Sequence, residues 1–187
     1  MNSKADVIAI STERPIYPQA KSKWFGSKKG EKLKVVFSFY SPDGNEIAMP
    51  IACISAYLKR DFPWVEVSLL PILILRDADF YSPENYAKSI QESGADLIAF
   101  SVMSPHWYQM EPYFEEIKKL CPDLPVCIGG YHAMISKKEN IANPNVDYIC
   151  VGDGEYATGN LVQHLRGTKD GPADGMWEKL IDGEVYE

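Results

Sequence analysis

The sequence predicts an α/β fold: a doubly wound, five-stranded parallel sheet, Rossmann- or flavodoxin-like, with a C-terminal β-hairpin. Three observations predict it. From residue 34 onward, short apolar runs alternate with helix-periodic segments, the order that builds a parallel sheet with crossover helices. The runs at residues 97–100 and 126–128 are continuously apolar, as in strands covered on both faces. Gly94 and Gly167 follow helix-periodic stretches, where a glycine stops a helix.

Each element follows from local chemistry. Residues 34–40 are β-rich and read as the first strand. Ser41, Pro42, Asp43, Gly44 and Asn45 form a turn cluster. Ile47, Ile51, Ile54 and Leu58 then recur at helical spacing, with Pro50 in the tolerant first turn. Residues 65–70 form a second strand, and apolar residues continue past Pro71 to Leu75. Ser82 and Pro83 read as an N-cap and first helical residue, with the helix ending at Gly94. After the strand at 97–100, Met110, Tyr113, Phe114, Ile117 and Leu120 make a helix stripe. Residues 126–128 are a fourth strand, 132–142 a short helix, 146–151 a fifth strand, and 154–165 a fifth helix. Residues 176–187 read as a hairpin about Asp182 and Gly183.

This divides the chain into three parts. Residues 1–33 are a polar lead-in with one candidate edge strand at 6–10. Residues 34–168 are the α/β domain. Residues 169–187 are a hairpin or linker leading toward a further domain.

The 187 residues carry a formal charge of -7, with 45% hydrophobic and 24% charged content. That is ordinary for a globular chain and argues against a nucleic-acid backbone as partner. Lys21, Lys23, Lys28, Lys29, Lys32 and Lys34 cluster before the first strand and read as a solvated face. No stretch has the length of a membrane span or the pattern of a secretory signal, so a cytoplasmic location is expected. Cys53, Cys121, Cys127 and Cys150 form no C-x-x-C pair, which excludes the usual zinc and dithiol motifs.

In an open parallel sheet, ligands bind beyond the carboxyl ends of the strands. Ser101, Val102 and Met103 close one strand, and Gly129, Gly130, Tyr131 and His132 close the next. A small hydroxyl residue beside two glycines makes a flat floor with exposed amides, suited to a large flat cofactor with a polar tail. The turn after the first strand lacks G-x-G-x-x-G, and no P-loop is present, which disfavours ordinary dinucleotide and phosphate sites. Ser101 stands where a phosphoacceptor receiver needs an aspartate. The Pro42 to Glu46 loop is a poor flavin phosphate site.

Three runs carry a resemblance: Phe100-Ser101-Val102-Met103, Cys127-Ile128-Gly129-Gly130-Tyr131-His132-Ala133, and Val146-Asp147-Tyr148-Ile149-Cys150-Val151-Gly152-Asp153-Gly154-Glu155. In this order and spacing the chain, over residues 34–187, resembles the N-terminal cobalamin-binding domain of radical-SAM enzymes. Asp153 departs from the family's usual glutamate. The resemblance implies cobalamin as cofactor, with Asn45, Ser101, Val102, Met103, Ser104, Gly129, Gly130, Tyr131, His132, Gly152, Gly154 and Glu155 around it. The glycine pair would let the cofactor's tail pass close to backbone.

It also implies base-off cobalamin without a histidine ligand. Asn45 stands at the histidine place of the D-x-H-x-x-G pattern of cobalamin mutases, and Ala48 at its glycine place. The cobalt would be held by the corrin alone, with no metal ligand from a side chain. The chain lacks the C-x-x-x-C-x-x-C of a radical-SAM domain. The [4Fe-4S] cluster, S-adenosylmethionine and catalysis, with methyl transfer as the expected reaction, would therefore belong to a partner domain in cis or trans. A docking domain that has lost the cofactor, or a flavodoxin-like electron carrier, are the alternatives. Of the histidines, His132 is expected to brace a short helix, His106 to sit half-exposed at a helix start, and His164 to lie on the surface.

Overall fold

The computed structural model describes residues 17, 19–28, 30, 32–46, 48–169 and 175–187. The candidate strand at 6–10 and Ile47 lie outside the described residues. The strands are β1 (Leu33–Phe39), β2 (Val65–Leu69), β3 (Leu97–Ser101), β4 (Val126–Gly129), β5 (Tyr148–Cys150), β6 (Met176–Lys179) and β7 (Val185–Tyr186). The helices are α1 (Met49–Asp61), α2 (Pro83–Ser93), α3 (Trp107–Leu120), α4 (Tyr131–Ile135), α5 (Lys137–Ala142) and α6 (Gly154–Arg166). They build one sheet in the order β2-β1-β3-β4-β5-β6-β7. The first five strands run parallel, and the β6–β7 hairpin adds antiparallel to β5.

The helices wind on both faces. On one, α2 and α3 cover Val36, Ile98, Phe100, Val126, Ile128 and Ile149 with Tyr86, Ile90, Met110, Phe114 and Ile117. On the other, α1 and α6 cover Val35, Phe37, Leu97, Ala99, Cys127, Tyr148 and Cys150 with Ile51, Leu58, Leu161, Val162 and Leu165. Helix ends fall where glycine permits: Gly94 and Gly167 take left-handed caps at φ 65° and 79°.

Three expectations are revised. Residues 132–142 form two helices broken at Ser136, whose φ of -115° and ψ of 40° are not helical. The fifth strand shrinks to three residues, and just past it the Val151 amide still donates to the Gly175 carbonyl. The lead-in is not merely solvated, since Trp24 is buried in the α1/α6 core with the ammonium groups of Lys23 and Lys118 over its ring.

The largest correction is His164. Expected on the surface, it is fully buried, because Tyr17 and residues 19–28 cover the outer side of α6. Gly26 and Lys28 donate amides to the His164 and Leu165 carbonyls. The Tyr17 and Phe25 rings pack against the imidazole, each at 5.4 Å between ring centres. Beneath it the buried Glu178 carboxylate accepts from Tyr17 and Ser22 at 2.5 Å and from Tyr148 at 3.1 Å. The same segment meets the hairpin: Lys21 bonds Asp182 at 2.7 Å, and the Ile181 amide donates to the Lys21 carbonyl. Among the described residues no helix is long and apolar enough to cross a membrane.

Candidate functional site

The two faces of the sheet are not equally filled at their carboxyl ends. Side chains alternate along a strand. Toward α2 and α3, β3 to β5 present Ile98, Phe100, Val126, Ile128 and Ile149, all bulky. Toward α1 and α6 the same strands and their extensions present Ala99, Ser101, Cys127, Gly129, Cys150 and Gly152. Small side chains on that face leave α1 and α6 standing off from the sheet. The result is a groove of about 440 Å³.

Phe37 and the sheet residues form its floor, Pro50, Ile51 and Ile54 of α1 one wall, and Glu155 and Thr158 of α6 the other. Met103, Tyr131 and Met134 stand at the mouth, and all three are exposed.

The register explains the convergence. Ser101 pairs with Gly129 across β3 and β4, so the two strand ends finish level. Gly130 then turns the chain into α4 at φ 88° and ψ -171°, a region essentially closed to side chains. Gly129 is different: its φ is not positive, and an added Cβ would meet only the Cys150 Cβ, at 3.5 Å. A side chain there has backbone freedom, but it would occupy the groove.

The groove's chemistry is apolar and redox-quiet. Burial pushes the Cys127 thiol well above its ordinary pKa, with Cys150 and Asp147 adding to the rise, and burial also raises Cys150. Both therefore stay protonated and weakly reactive. Their sulfurs lie near backbone carbonyls, Cys127 at 3.9 Å from that of Ile128 and Cys150 at 3.7 Å from that of Gly152. The polar side chains lining the groove are Ser101, Thr158, Glu155 and, at the mouth, Tyr131.

Of the residues singled out by sequence, Ser101, Met103, Gly129, Gly130, Tyr131, Gly152, Gly154 and Glu155 line this groove. Four do not. Val102 is fully buried on the opposite face, its carbonyl taking the His132 amide. Ser104 and His132 share a separate concavity, joined through His132 Nδ1 and Ser104 Oγ at 3.2 Å, with the imidazole on the Trp107 ring. Asn45 is exposed, and its side-chain amide donates to Asp43 at 2.7 Å.

Phe37, Pro50, Ile51, Ile54, Ala99, Cys127, Met134, Cys150 and Thr158 line the groove without having been singled out. For Ala99, Cys127 and Cys150 the signal existed: each sits two residues before a chosen small residue, on the same face of its strand.

The family described as the B12 binding domain matches residues 41–162, a span that contains every groove-lining residue except Phe37. The chain belongs to that family. Two curated proteins are similar to parts of the chain. Cytidylyl-2-hydroxyethylphosphonate methyltransferase of Streptomyces wedmorensis is 26% identical over 106 residues, covering 56% of this chain and 20% of that protein. Anaerobic magnesium-protoporphyrin IX monomethyl ester cyclase of Cereibacter sphaeroides is 28% identical over 86 residues, covering 46% of this chain and 14% of that protein. The chain thus spans a fifth or less of the curated relatives it matches.

Among solved structures, the fold matches the cobalamin-dependent S-adenosylmethionine radical enzyme OxsB with aqua-cobalamin and S-adenosylmethionine bound. The TM-score is 0.68 at 18% identity, over 83% of this chain and 22% of that one. The doubly wound parallel sheet with its C-terminal hairpin is therefore the fold of a B12-binding domain.

Cobalamin is the cofactor of this domain, and the groove fits part of it. The floor rises no higher than a thiol between Ala99 and Gly152, the α1 wall is apolar, and Gly129 leaves open the space a side chain would fill.

Proposed function

We propose that this B12-binding domain is the cofactor module of a radical-SAM methyltransferase, and that it holds cobalamin base-off with no histidine ligand. The observation that carries the reading is the groove floored by small residues at the strand ends, with every histidine turned away from it. His106 lies 4.0 Å from Glu46 and packs on Tyr40. His132 is held by Ser104 and Trp107. His164 is buried against Glu178, Tyr17 and Phe25. Asn45, at the place a ligating histidine would take, is tied to Asp43.

Ser101, Gly129, Gly152, Gly154 and Thr158 would hold the tail, and Met103, Tyr131 and Met134 would face the corrin. When bound, cobalamin supplies a cobalt centre that accepts and donates a methyl group. The chain's residues bind and orient it, and exclude water from the groove. A radical-SAM domain, in cis or trans, would supply the iron–sulfur cluster and S-adenosylmethionine. The likeness to OxsB, a cobalamin-dependent S-adenosylmethionine radical enzyme, supports that partnership, and the likeness to the Streptomyces wedmorensis methyltransferase supports methyl transfer.

The test is titration with hydroxocobalamin and methylcobalamin, followed in the visible spectrum, with Gly129→Phe as the groove-filling control. Saturable binding with a base-off spectrum, lost in the folded control, is the expected result. The cob(II)alamin electron paramagnetic resonance signal should show no axial nitrogen splitting, and His106→Ala and His132→Ala should leave it unchanged. Nitrogen splitting abolished by either variant would overturn the ligand-free reading.

A further inference from the structure

We infer that the groove selects corrinoids by the base of their nucleotide tail, accepting an apolar benzimidazole and rejecting a purine. This rests on the corrinoid reading above and deepens it. The argument begins with what can enter. A corrin macrocycle carries amide side chains around its whole rim, more than a groove with so few polar side chains (Ser101, Thr158, Glu155 and, at the mouth, Tyr131) can satisfy. The flat base at the end of the tail is the part of the molecule that is thin and apolar enough to enter the groove of about 440 Å³ between sheet and helices.

The lining then sets which base. Phe37, Ile51, Ile54 and Ala99 offer carbon alone, and the Cys127 and Cys150 thiols are poor hydrogen-bonding groups already close to backbone carbonyls. The one carboxylate, Glu155, is on the first turn of α6 and only half-buried. One turn further along, Thr158 is 6% exposed. Its hydroxyl and that of Ser101 have no hydrogen-bond partner among the described residues, so both are free to donate inside the groove. Either one satisfies a benzimidazole, whose single ring nitrogen becomes a free acceptor once it leaves cobalt. A purine adds further ring nitrogens and, in adenine, an amino group. Buried against Ile51, Ala99 and the two thiols, these would lose water and gain no partner, at a cost of about tenfold in affinity or more.

The experiment compares three corrinoids on the same purified chain by visible absorbance: cobalamin, its adenine-based analogue, and cobinamide, which lacks the nucleotide. Cobalamin should bind at least about tenfold tighter than either. Thr158→Val should weaken cobalamin and leave cobinamide unchanged. Cys150→Ser, which places a better hydrogen-bonding group on the floor, should narrow the gap between cobalamin and the adenine analogue. Equal affinity for the two nucleotide-bearing corrinoids would overturn the selectivity while leaving the corrinoid reading intact. Equal affinity for cobinamide and cobalamin would overturn it as well, by showing that the base does not enter. Failure of all three to bind a chain that still melts cooperatively would overturn the corrinoid reading and this inference with it.

Discussion

A Cβ on Gly130 would stand 2.9 Å from both the amide nitrogen and the carbonyl oxygen of Val102. Both Val102 groups are already engaged, the nitrogen with the Gly129 carbonyl and the oxygen with the His132 amide. The turn closing β4 is therefore packed backbone against backbone. Gly130→Ala should destabilise the chain by roughly 2 kcal/mol, about 4–8 °C in melting temperature for a chain of this size. Gly129→Ala, with ordinary contacts only, should melt like the wild type. Calorimetry of the two variants side by side checks this, and equal losses would contradict it.

Glu178 makes stability depend on acid. Burial pushes its carboxyl pKa up, but the His164 imidazole 3.7 Å away and hydrogen bonds from Ser22 and Tyr17 outweigh it and hold the folded value below normal. A lowered folded pKa contributes stability that is fully present above the unfolded value, about 4.3. That stability is lost as pH falls through the folded value. Urea midpoints should be flat from neutral pH to about 5 and drop below about 4. Glu178→Gln should start lower at pH 7 and show a shallower drop. An identical acid slope in the variant would remove Glu178 as its source.

The cysteines should sort by burial. Cys53 is exposed, Cys121 intermediate, and Cys127 and Cys150 buried. A chromogenic disulfide reagent should modify Cys53 at once and Cys121 slowly, the slower rate following from burial that raises its thiol pKa. Cys127 and Cys150 should react only on unfolding. Mass mapping of early modification decides it: label on Cys127 before Cys53 would mean that the groove floor opens readily.

Trp24 tests whether the lead-in is part of the folded unit. It is 2% exposed and packed within the α1/α6 core. Trp24→Ala should cost about 3–5 kcal/mol, as for a large core side chain. A change under about 1 kcal/mol in urea unfolding would mean that residues 19–28 merely rest on the surface.

Much of this was legible from local chemistry. Gly94 and Gly167 mark helix ends because a left-handed cap needs no distant partner. The alternation of apolar runs with helical stripes gave the parallel sheet. The groove floor was half legible: Ser101 and Gly129 attract notice as strand ends, and Ala99 and Cys127 share their face by simple alternation. The walls were not. Ile54 and Thr158 face each other only because α1 and α6 cross the sheet at a particular spacing, which local sequence does not encode. His164 was misplaced for the same reason. Its cover comes from Tyr17 and Phe25, more than a hundred residues earlier, and no periodicity within α6 reports that contact. Asn45 was chosen by its place in a motif, and the turn bends it outward onto Asp43.

The meeting of the lead-in with the hairpin has a topological consequence. The Tyr17 and Tyr186 rings lie 5.0 Å apart, and Lys21 bridges to Asp182. They meet near the base of α6, while the groove opens at that helix's other end. The described fold is a nearly closed circuit with its seam away from the ligand. A few residues joining that seam, with the ring reopened in a surface loop such as the one between α1 and β2, would yield a circular permutant. By the same geometry, a host protein could carry the fold as an inserted cassette, attached on one side while the opposite side stays free to present its cofactor.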